Sequence, residues 1–386
     1  MKIFVNGTTA VAGGGVQRTA SFIANSITEP FNHDFVYAIS PMVMDQIKSL
    51  LDISTAKIFE LTPSPVYLFA GRNSRKQLLE IERNYKPDLI FTTTSPSYTI
   101  FRDSLEAAVV SDPFFTHPNK MALSSYPRLD ALKIKIKMLV CQYYFRKIKY
   151  FFVQTPTSAA GLAKRLHISP ENIFLVSNCH NKIFSQNQFQ PQRSASETPL
   201  IFVLTHPYYH KNLDIIPAVA ALLKKRKIKL RFIMTLPEDH KITPQIYEKI
   251  QKLGVTEYIE NVKGLTLAEC RQWYEKCDAV FLPTLLETFS ATYVEAMAMQ
   301  RPLITTNFDF AKDICADAAE YFEPKNAEAA TDAIINVINN QARYQQLVEN
   351  GLRRLKQFPD PHQQYLLQIK ALEECFKKFQ SLTNRR

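Results

Sequence analysis

The stretch Pro283–Thr306, PTLLETFSATYVEAMAMQRPLITT, decides the fold. The apolar run Ala279–Leu282 leads into it and ends at Pro283. A segment of helix-forming composition, Thr288–Met299, comes next, followed by a second short apolar run, Leu303–Thr306. Strand, loop, helix and strand in that order make half of a parallel-sheet unit. The helix is apolar on nearly every side: Tyr293, Val294, Ala296, Met297, Ala298 and Met299 surround Glu295. Such a helix is buried, and a carboxylate within it is expensive unless it has a partner. A second carboxylate, Glu287, stands at the mouth of the same helix. Two readings are open. In the first, Glu287 is a helix-start acid favoured by the dipole and Glu295 faces a structural Arg or Lys. In the second, the helix start offers backbone N–H groups at Thr288, Phe289 and Ser290 to an anion, and the two carboxylates accept hydrogen bonds from hydroxyl groups. Phosphate plus polyol is the chemistry of a sugar nucleotide.

The rest of the chain bears on that choice. Its 386 residues suggest two domains with ample core. Hydrophobic content of 46% and charged content of 22% are those of an ordinary globular protein. No apolar run approaches the roughly 18 residues of a membrane span, and the opening MKIFVNG is too short an apolar run for a signal peptide. A cytoplasmic protein is therefore expected, with a peripheral position at the inner face of the plasma membrane as a variant of that reading. The six cysteines form no CxxC pair and no cluster with His, so free thiols and no metal site are expected. Net charge is +11. The densest basic cluster, Arg128–Lys149, interleaves Lys133, Lys135, Lys137, Arg146, Lys147 and Lys149 with Ile, Leu, Val, Tyr and Phe. It reads either as a sheet-packed helix with a solvated Lys face or as a helix that meets an anionic membrane surface. No nucleic-acid module is visible, and no nucleic-acid partner is expected.

Taken in order, Ile3–Val5 reads as a first buried strand, then Gly13-Gly14-Gly15, then a helix over Val16–Ile27. Three of the nine glycines lie side by side there, the mark of a loop where backbone turns tightly or meets a ligand. It is neither a Walker loop nor GxGxxG. Strands are expected at 35–39, 57–61, 89–92, 107–110, 151–153 and 173–176, with helical patterns at 74–85, 127–149 and 157–166 between them. The polar, turn-rich Ser185–Thr198 reads as an interdomain linker. A second α/β series follows, and Pro359 and Pro361 precede a final helix over His362–Gln380. The expected domains are 1–186 and 199–360, with 361–386 packing back toward the first. Two such domains facing a central cleft would bring strand carboxyl ends to a ligand. On the second domain the rim would hold Gly264, the helix after Glu287, and the turn Thr205–Asn212, THPYYHKN, with His210 and Lys211.

These residues resemble a family. LLETFSATYVEAMAMQRPLITTNFDFAKDICADAAEYFEP is similar to the carboxyl-terminal signature of glycosyltransferase family 4, whose fold is GT-B: two Rossmann-like α/β domains. The shared features are Glu287-x7-Glu295, the AMA-x-x-x-P turn through Pro302, and the run from Asp313 to Phe322. HKNL at His210–Leu213 resembles the family's phosphate-contacting turn, VKGLT at Val262–Thr266 its nucleobase loop, and Gly13–Gly15 with Arg18 its amino-terminal glycine loop. The likeness covers residues 200–325 most fully.

The resemblance implies retaining transfer of a sugar from a UDP- or GDP-linked donor to a glycan or lipid-linked acceptor, without metal or other cofactor, in surface polysaccharide or lipopolysaccharide synthesis. By it, Glu287, Lys211 and His117 are the catalytic residues. Gly14, Gly15, His210, Lys211, Gly264, Leu265, Glu287, Thr288, Phe289, Ser290 and Glu295 would hold the donor. Glu295 would take the ribose hydroxyls and Glu287 the transferred sugar. Many members carry a His-Asp pair after an amino-domain strand where this chain has Ser111-Asp112; His117, in DPFFTHP, is the residue assigned in its place. Two other readings stay open here: a sugar-nucleotide epimerase on the same architecture, and a non-catalytic GT-B partner subunit.

Overall fold

A computed structural model describes residues 1–184 and 198–383. The Ser185–Thr198 stretch read as a linker lies, up to residue 197, outside the described residues. The chain divides into two compact units. The first comprises 1–117, 132–177 and 361–386; the second comprises 118–131 and 178–360.

The first unit is built on a seven-stranded sheet. Its strands are β1 (Lys2–Gly7), β2 (Asp34–Ile39), β3 (Ile58–Glu60), β4 (Leu89–Thr92), β5 (Leu105–Val109), β6 (Tyr150–Val153) and β7 (Ile173–Leu175). They run parallel in the order β3-β2-β1-β4-β5-β6-β7. Ile3, Phe4, Val5, Leu89, Ile90 and Phe91 have no exposed surface, the unbroken apolar pattern of strands covered on both faces. The helix Pro361–Thr383 belongs to this unit: Tyr365, Ile369, Leu372 and Cys375 share a core with β1, β2 and β4.

The second unit carries β8 (Leu200–Val203), β9 (Arg231–Met234), β10 (Ile259–Asn261), β11 (Ala279–Leu282), β12 (Leu303–Thr306) and β13 (Ala319–Phe322). These six are also parallel, in the order β10-β9-β8-β11-β12-β13. Strand order reverses between β1 and β4 in one sheet and between β8 and β11 in the other. At such a switch the chain leaves two neighbouring strands toward opposite faces and opens a crevice beyond their carboxyl ends.

Two sequence expectations need correction. The glycines are not a loop before the helix: the helix starts at Gly13, so Gly14 and Gly15 form its first turn, after Ala12 as an uncapped N-cap. Gly13 has φ +59, the left-handed value that lets the chain enter the helix from the turn before it. A Cβ on Gly15 would lie 3.4 Å from Thr94 Oγ1, so the turn approaches the end of β4 closely. The helix after Glu287 covers only Ala291–Ala298. Ser290 is extended (φ −88°, ψ 117°) as its N-cap. The Leu285 N–H donates to the His210 carbonyl at 2.7 Å, so the chain before Ser290 is held away from helical geometry. The first-turn amides without an acceptor inside the helix are therefore those of Ala291 and Thr292, beyond the Thr288–Ser290 segment expected from sequence.

Candidate donor site at the switch of the second sheet

Two backbone segments meet at the carboxyl ends of β8 and β11. One is the short 3₁₀ turn Tyr209–Lys211 after β8; the other is Thr284–Ser290 after β11. The carbonyl of His210 accepts from the Leu285 N–H and, at 3.4 Å, from Thr284 Oγ1. Asn212, with φ +56, ends the turn. It is buried, and its Nδ2 has no hydrogen-bond partner among the described residues. The opposite side of Thr284–Leu286 is held from a distant segment: Asn119 Nδ2 donates to the Leu285 carbonyl at 2.7 Å.

These ties bring Lys211 to Glu287. Their side chains form an ion pair, Nζ to Oε1, and are only 12% and 14% exposed. Sequence reasoning assigned the two residues to different parts of a donor. The structure places them as neighbours, so that one cation and one carboxylate sit beside the amino end of the Ala291–Ala298 helix. Thr292 fastens that end to β8 by donating from Oγ1 to the Leu204 carbonyl at 3.3 Å.

Glu295 lies one to two turns further along this helix. Its partner is neither Arg nor Lys: the Tyr274 hydroxyl donates to Oε2 at 3.0 Å. Burial pushes the Glu295 carboxyl up to about 7, and the Tyr274 hydrogen bond opposes that rise. Tyr274 is fixed in turn by Arg301, which is buried and donates from Nε to the Tyr274 carbonyl at 2.7 Å and from Nη2 to the Glu275 carbonyl at 2.6 Å.

His210 is buried and serves the architecture of the turn. The Tyr126 hydroxyl meets its Nδ1 at 2.5 Å, and Tyr208 stacks on its ring at 5.4 Å. Desolvation, with the charge of Lys211 behind it, holds the imidazole well below its usual range. Phe289 is also buried; it packs with Phe358 in the core, so any part it plays toward a ligand is through its backbone. Gly264 and Leu265 lie on the loop after β10, with Gly264 exposed. Thr266 closes that loop with a capping box, exchanging hydrogen bonds with Glu269 at the start of the Leu267–Lys276 helix.

In the first unit, Arg18 reaches from the glycine-led helix to the Thr93 carbonyl (3.4 Å) and Ser111 Oγ (3.3 Å). His117 ends the short Pro113–Thr116 helix, its Nδ1 2.8 Å from Thr116 Oγ1. Ser111 thus faces a guanidinium. Among the described residues, Asn6 Nδ2, Thr94 Oγ1 and Gln154 Nε2 are buried near the strand ends without partners. Tyr274, Arg301, Asn119 and Tyr126 were not found from sequence. The last two lie 166 and 84 residues from their partners, beyond any local pattern.

Residues 184–354 match the family described as Glycosyl transferases group 1. The MMP alpha-(1->4)-mannosyltransferase of Mycolicibacterium hassiacum is 22% identical over 214 residues, 54% of this chain and 50% of that protein. The O-antigen chain mannosyltransferase RfbU of Salmonella typhimurium is 22% identical over 322 residues, covering 78% of this chain and 83% of the relative. The chain thus spans half the length of the first of these relatives. Among solved structures, Alr3699/HepE of Anabaena in complex with UDP and glucose superposes with a TM-score of 0.72 at 12% identity, over 97% of this chain and 100% of that one. The architecture is GT-B: two α/β domains on parallel sheets. Fold and family match together support a glycosyltransferase.

Proposed function

We propose that this protein is a retaining, metal-independent glycosyltransferase of family 4. It moves a sugar from a nucleoside-diphosphate donor to a glycan or lipid-linked acceptor in surface polysaccharide or lipopolysaccharide synthesis. The observation that carries the reading is the Lys211–Glu287 pair beside the amino end of the Ala291–Ala298 helix, with Glu295 on the same helix. Departure of a nucleoside diphosphate builds negative charge on its leaving oxygens. A lysine ammonium and helix-start amides, fixed before the reaction, stabilise that charge without reorganisation. Glu287, four residues before the first of those amides, accepts hydrogen bonds from the hydroxyls of the transferred sugar. Glu295 does so for the ribose, oriented by Tyr274. In a retaining reaction the acceptor attacks on the face from which the diphosphate leaves; His117 is the third residue proposed for catalysis. The UDP complex of the Anabaena structure supports a nucleotide sugar as partner. The cytoplasmic face is the proposed location.

The epimerase and non-catalytic readings are not favoured, because the family match and both mannosyltransferase relatives are transferases. The test is turnover with a panel of UDP- and GDP-sugars. Lys211→Ala and Glu287→Gln are expected to lower kcat by about 10²–10³, the loss typical of removing one charge-stabilising donor, with an unchanged circular dichroism spectrum. Wild-type kcat in both variants would refute the assignment.

A further inference from the structure

The Arg128–Phe145 helix enters the first unit at Leu132, and its burial is unusual. Only a narrow strip, Met138, Cys141 and Phe145, is buried; Phe145 packs on Phe115 at 4.6 Å. Leu132, Ile136, Leu139, Val140 and Tyr143 are between 41% and 66% exposed. At about 100° per residue these five occupy an arc of roughly 100° on the side of the helix opposite the buried strip. Lys135 borders the arc on one side. Lys133 and Lys137 border it on the other, with Lys137 bonded to Asp112 at 2.8 Å. Arg146 and Lys147 stand just past the helix end. No acidic residue occurs between Asp130 and Glu171.

A second apolar point lies in the same unit. Leu68 and Phe69 are 74% and 89% exposed. They are held out by a closed loop: Arg75 donates to the Pro65, Tyr67 and Leu68 carbonyls, and a Cβ on Gly71 would collide with Ser64 O at 2.5 Å. Arg75 and Tyr143 line one surface cavity, so this loop neighbours the end of the apolar arc.

We propose that the exposed face of Leu132–Tyr143, with Leu68 and Phe69 beside it, is the surface by which this protein lies in the interface of an anionic lipid bilayer. An apolar stripe bordered by lysines on both sides is the pattern of a helix lying in the membrane plane, its leucines among the acyl chains and its lysine stems reaching up to the headgroups. The charge fits that occupant: Lys133, Lys135, Arg146 and Lys147 flank the stripe, Lys137 is paired with Asp112, and no acid interrupts the stripe along the helix. A second copy of the chain fits poorly. The spacing Leu132, Ile136, Leu139, Tyr143 is that of a coiled-coil seam, but Lys133 and Lys135 stand where the flanking residues of two helices meet, and like charges would face each other. Nucleic acid would meet aliphatic side chains at the centre of the patch, where nothing stacks on a base. Membrane contact of this kind is independent of the transfer reaction.

The test is flotation of the full chain with phosphatidylcholine vesicles and with vesicles containing added phosphatidylglycerol. Binding to the anionic vesicles at low salt is expected, falling at least tenfold at about 1 M salt, where the Debye length shrinks to about 3 Å. L132Q/I136Q/L139Q should bind at least tenfold more weakly, and each lysine-to-glutamine change at 133 or 135 should weaken binding about fivefold. Trp273 is the only native tryptophan, so L139W adds a reporter whose fluorescence should be quenched by brominated acyl chains. That readout stands even if the triple variant misfolds. No binding at low salt, equal binding to neutral vesicles, or an L139W signal indifferent to brominated lipid would overturn the proposal. So would a concentration-dependent dimer that the triple variant abolishes, which would make a second copy the occupant.

Discussion

Burial, opposed by a single hydroxyl, decides how Glu295 titrates. Its carboxyl sits among apolar neighbours, and burial raises it from 4.5 to about 7, while the Tyr274 hydrogen bond pulls the other way. The native state therefore binds this proton more tightly than the unfolded chain does. The sign follows: the neutral form favours the fold, its contribution is complete below about pH 4.5, and it is lost as pH rises toward 7. The loss has an upper bound of about 3 kcal/mol, since the residue keeps some access to solvent. Burial raises Glu106 over the same range, to about 7 as well, so the diagnostic quantity is the difference between wild type and Glu295→Gln in denaturant melts across this window. That difference should show a negative slope with pH in the wild type. Tyr274→Phe should steepen it, because the opposing hydrogen bond is gone. A flat difference would show that the carboxyl is not desolvated. The acid that looked out of place in PTLLETFSATYVEAMAMQRPLITT is thus tolerated through a tyrosine that no local pattern announced.

At the scale of elements, the His117 turn depends on how closely two helices approach. The helix Pro156–Leu166 packs on Asp112–His117 through Gly161. A Cβ there would lie 2.0 Å from the Thr116 carbonyl oxygen. Arg165, one turn on, donates to the Phe114 and Phe115 carbonyls at 3.2 and 3.0 Å. Backbone cannot yield as a flexible side chain can. Gly161→Ala is expected to cost about 1–3 kcal/mol, the range for overpacking, read as a lower denaturation midpoint. Under the role proposed for His117, turnover should fall with it, since that residue moves with the turn. An unchanged midpoint would mean that the helix shifts freely. The same scale explains the errors in reading helix starts. Helical composition continues through Thr288–Ser290, but the tertiary hydrogen bonds of Leu285, whose N–H donates to the His210 carbonyl and whose carbonyl accepts from Asn119, hold the preceding segment out of helical geometry. Composition likewise placed the glycines in a loop, where the structure has them opening a helix.

At the scale of the molecule, the chain returns to its first unit at Pro361. The Tyr365 hydroxyl donates to the Glu29 carbonyl at 2.6 Å, and its ring packs on Phe22 at 5.4 Å. Tyr365, Ile369, Leu372 and Cys375 are all nearly fully buried. Each large apolar side chain buried contributes about 1.5–3 kcal/mol, so several together rival the whole stability of a domain. Truncation at Asp360 should therefore unprotect β1, β4 and β5 in hydrogen exchange while β8 and β11 keep their protection. Full protection of β1 in the truncated chain would contradict this. No helix among the described residues is long and apolar enough to cross a membrane.

What the sequence by itself determined was the alternation of apolar strands and helices, hence two parallel sheets, and the acids and lysine of the second unit. Those features are local: strand burial shows as unbroken apolar runs, and Glu287, Glu295 and Lys211 stand out against their own neighbours. Only the tertiary structure decided that Lys211 pairs with Glu287, that Tyr274 and Arg301 hold Glu295, that Asn119 and Tyr126 brace the site, and that the lysine-rich helix turns leucines outward. Each of these depends on which distant segments the folded backbone brings within hydrogen-bond or packing distance, and one chain's residue order does not encode those distances locally. The same helix shows the limit plainly. Its composition fits a core-packed helix and a membrane-facing one equally well, and only the packing of Met138, Cys141 and Phe145 leaves the opposite face uncovered.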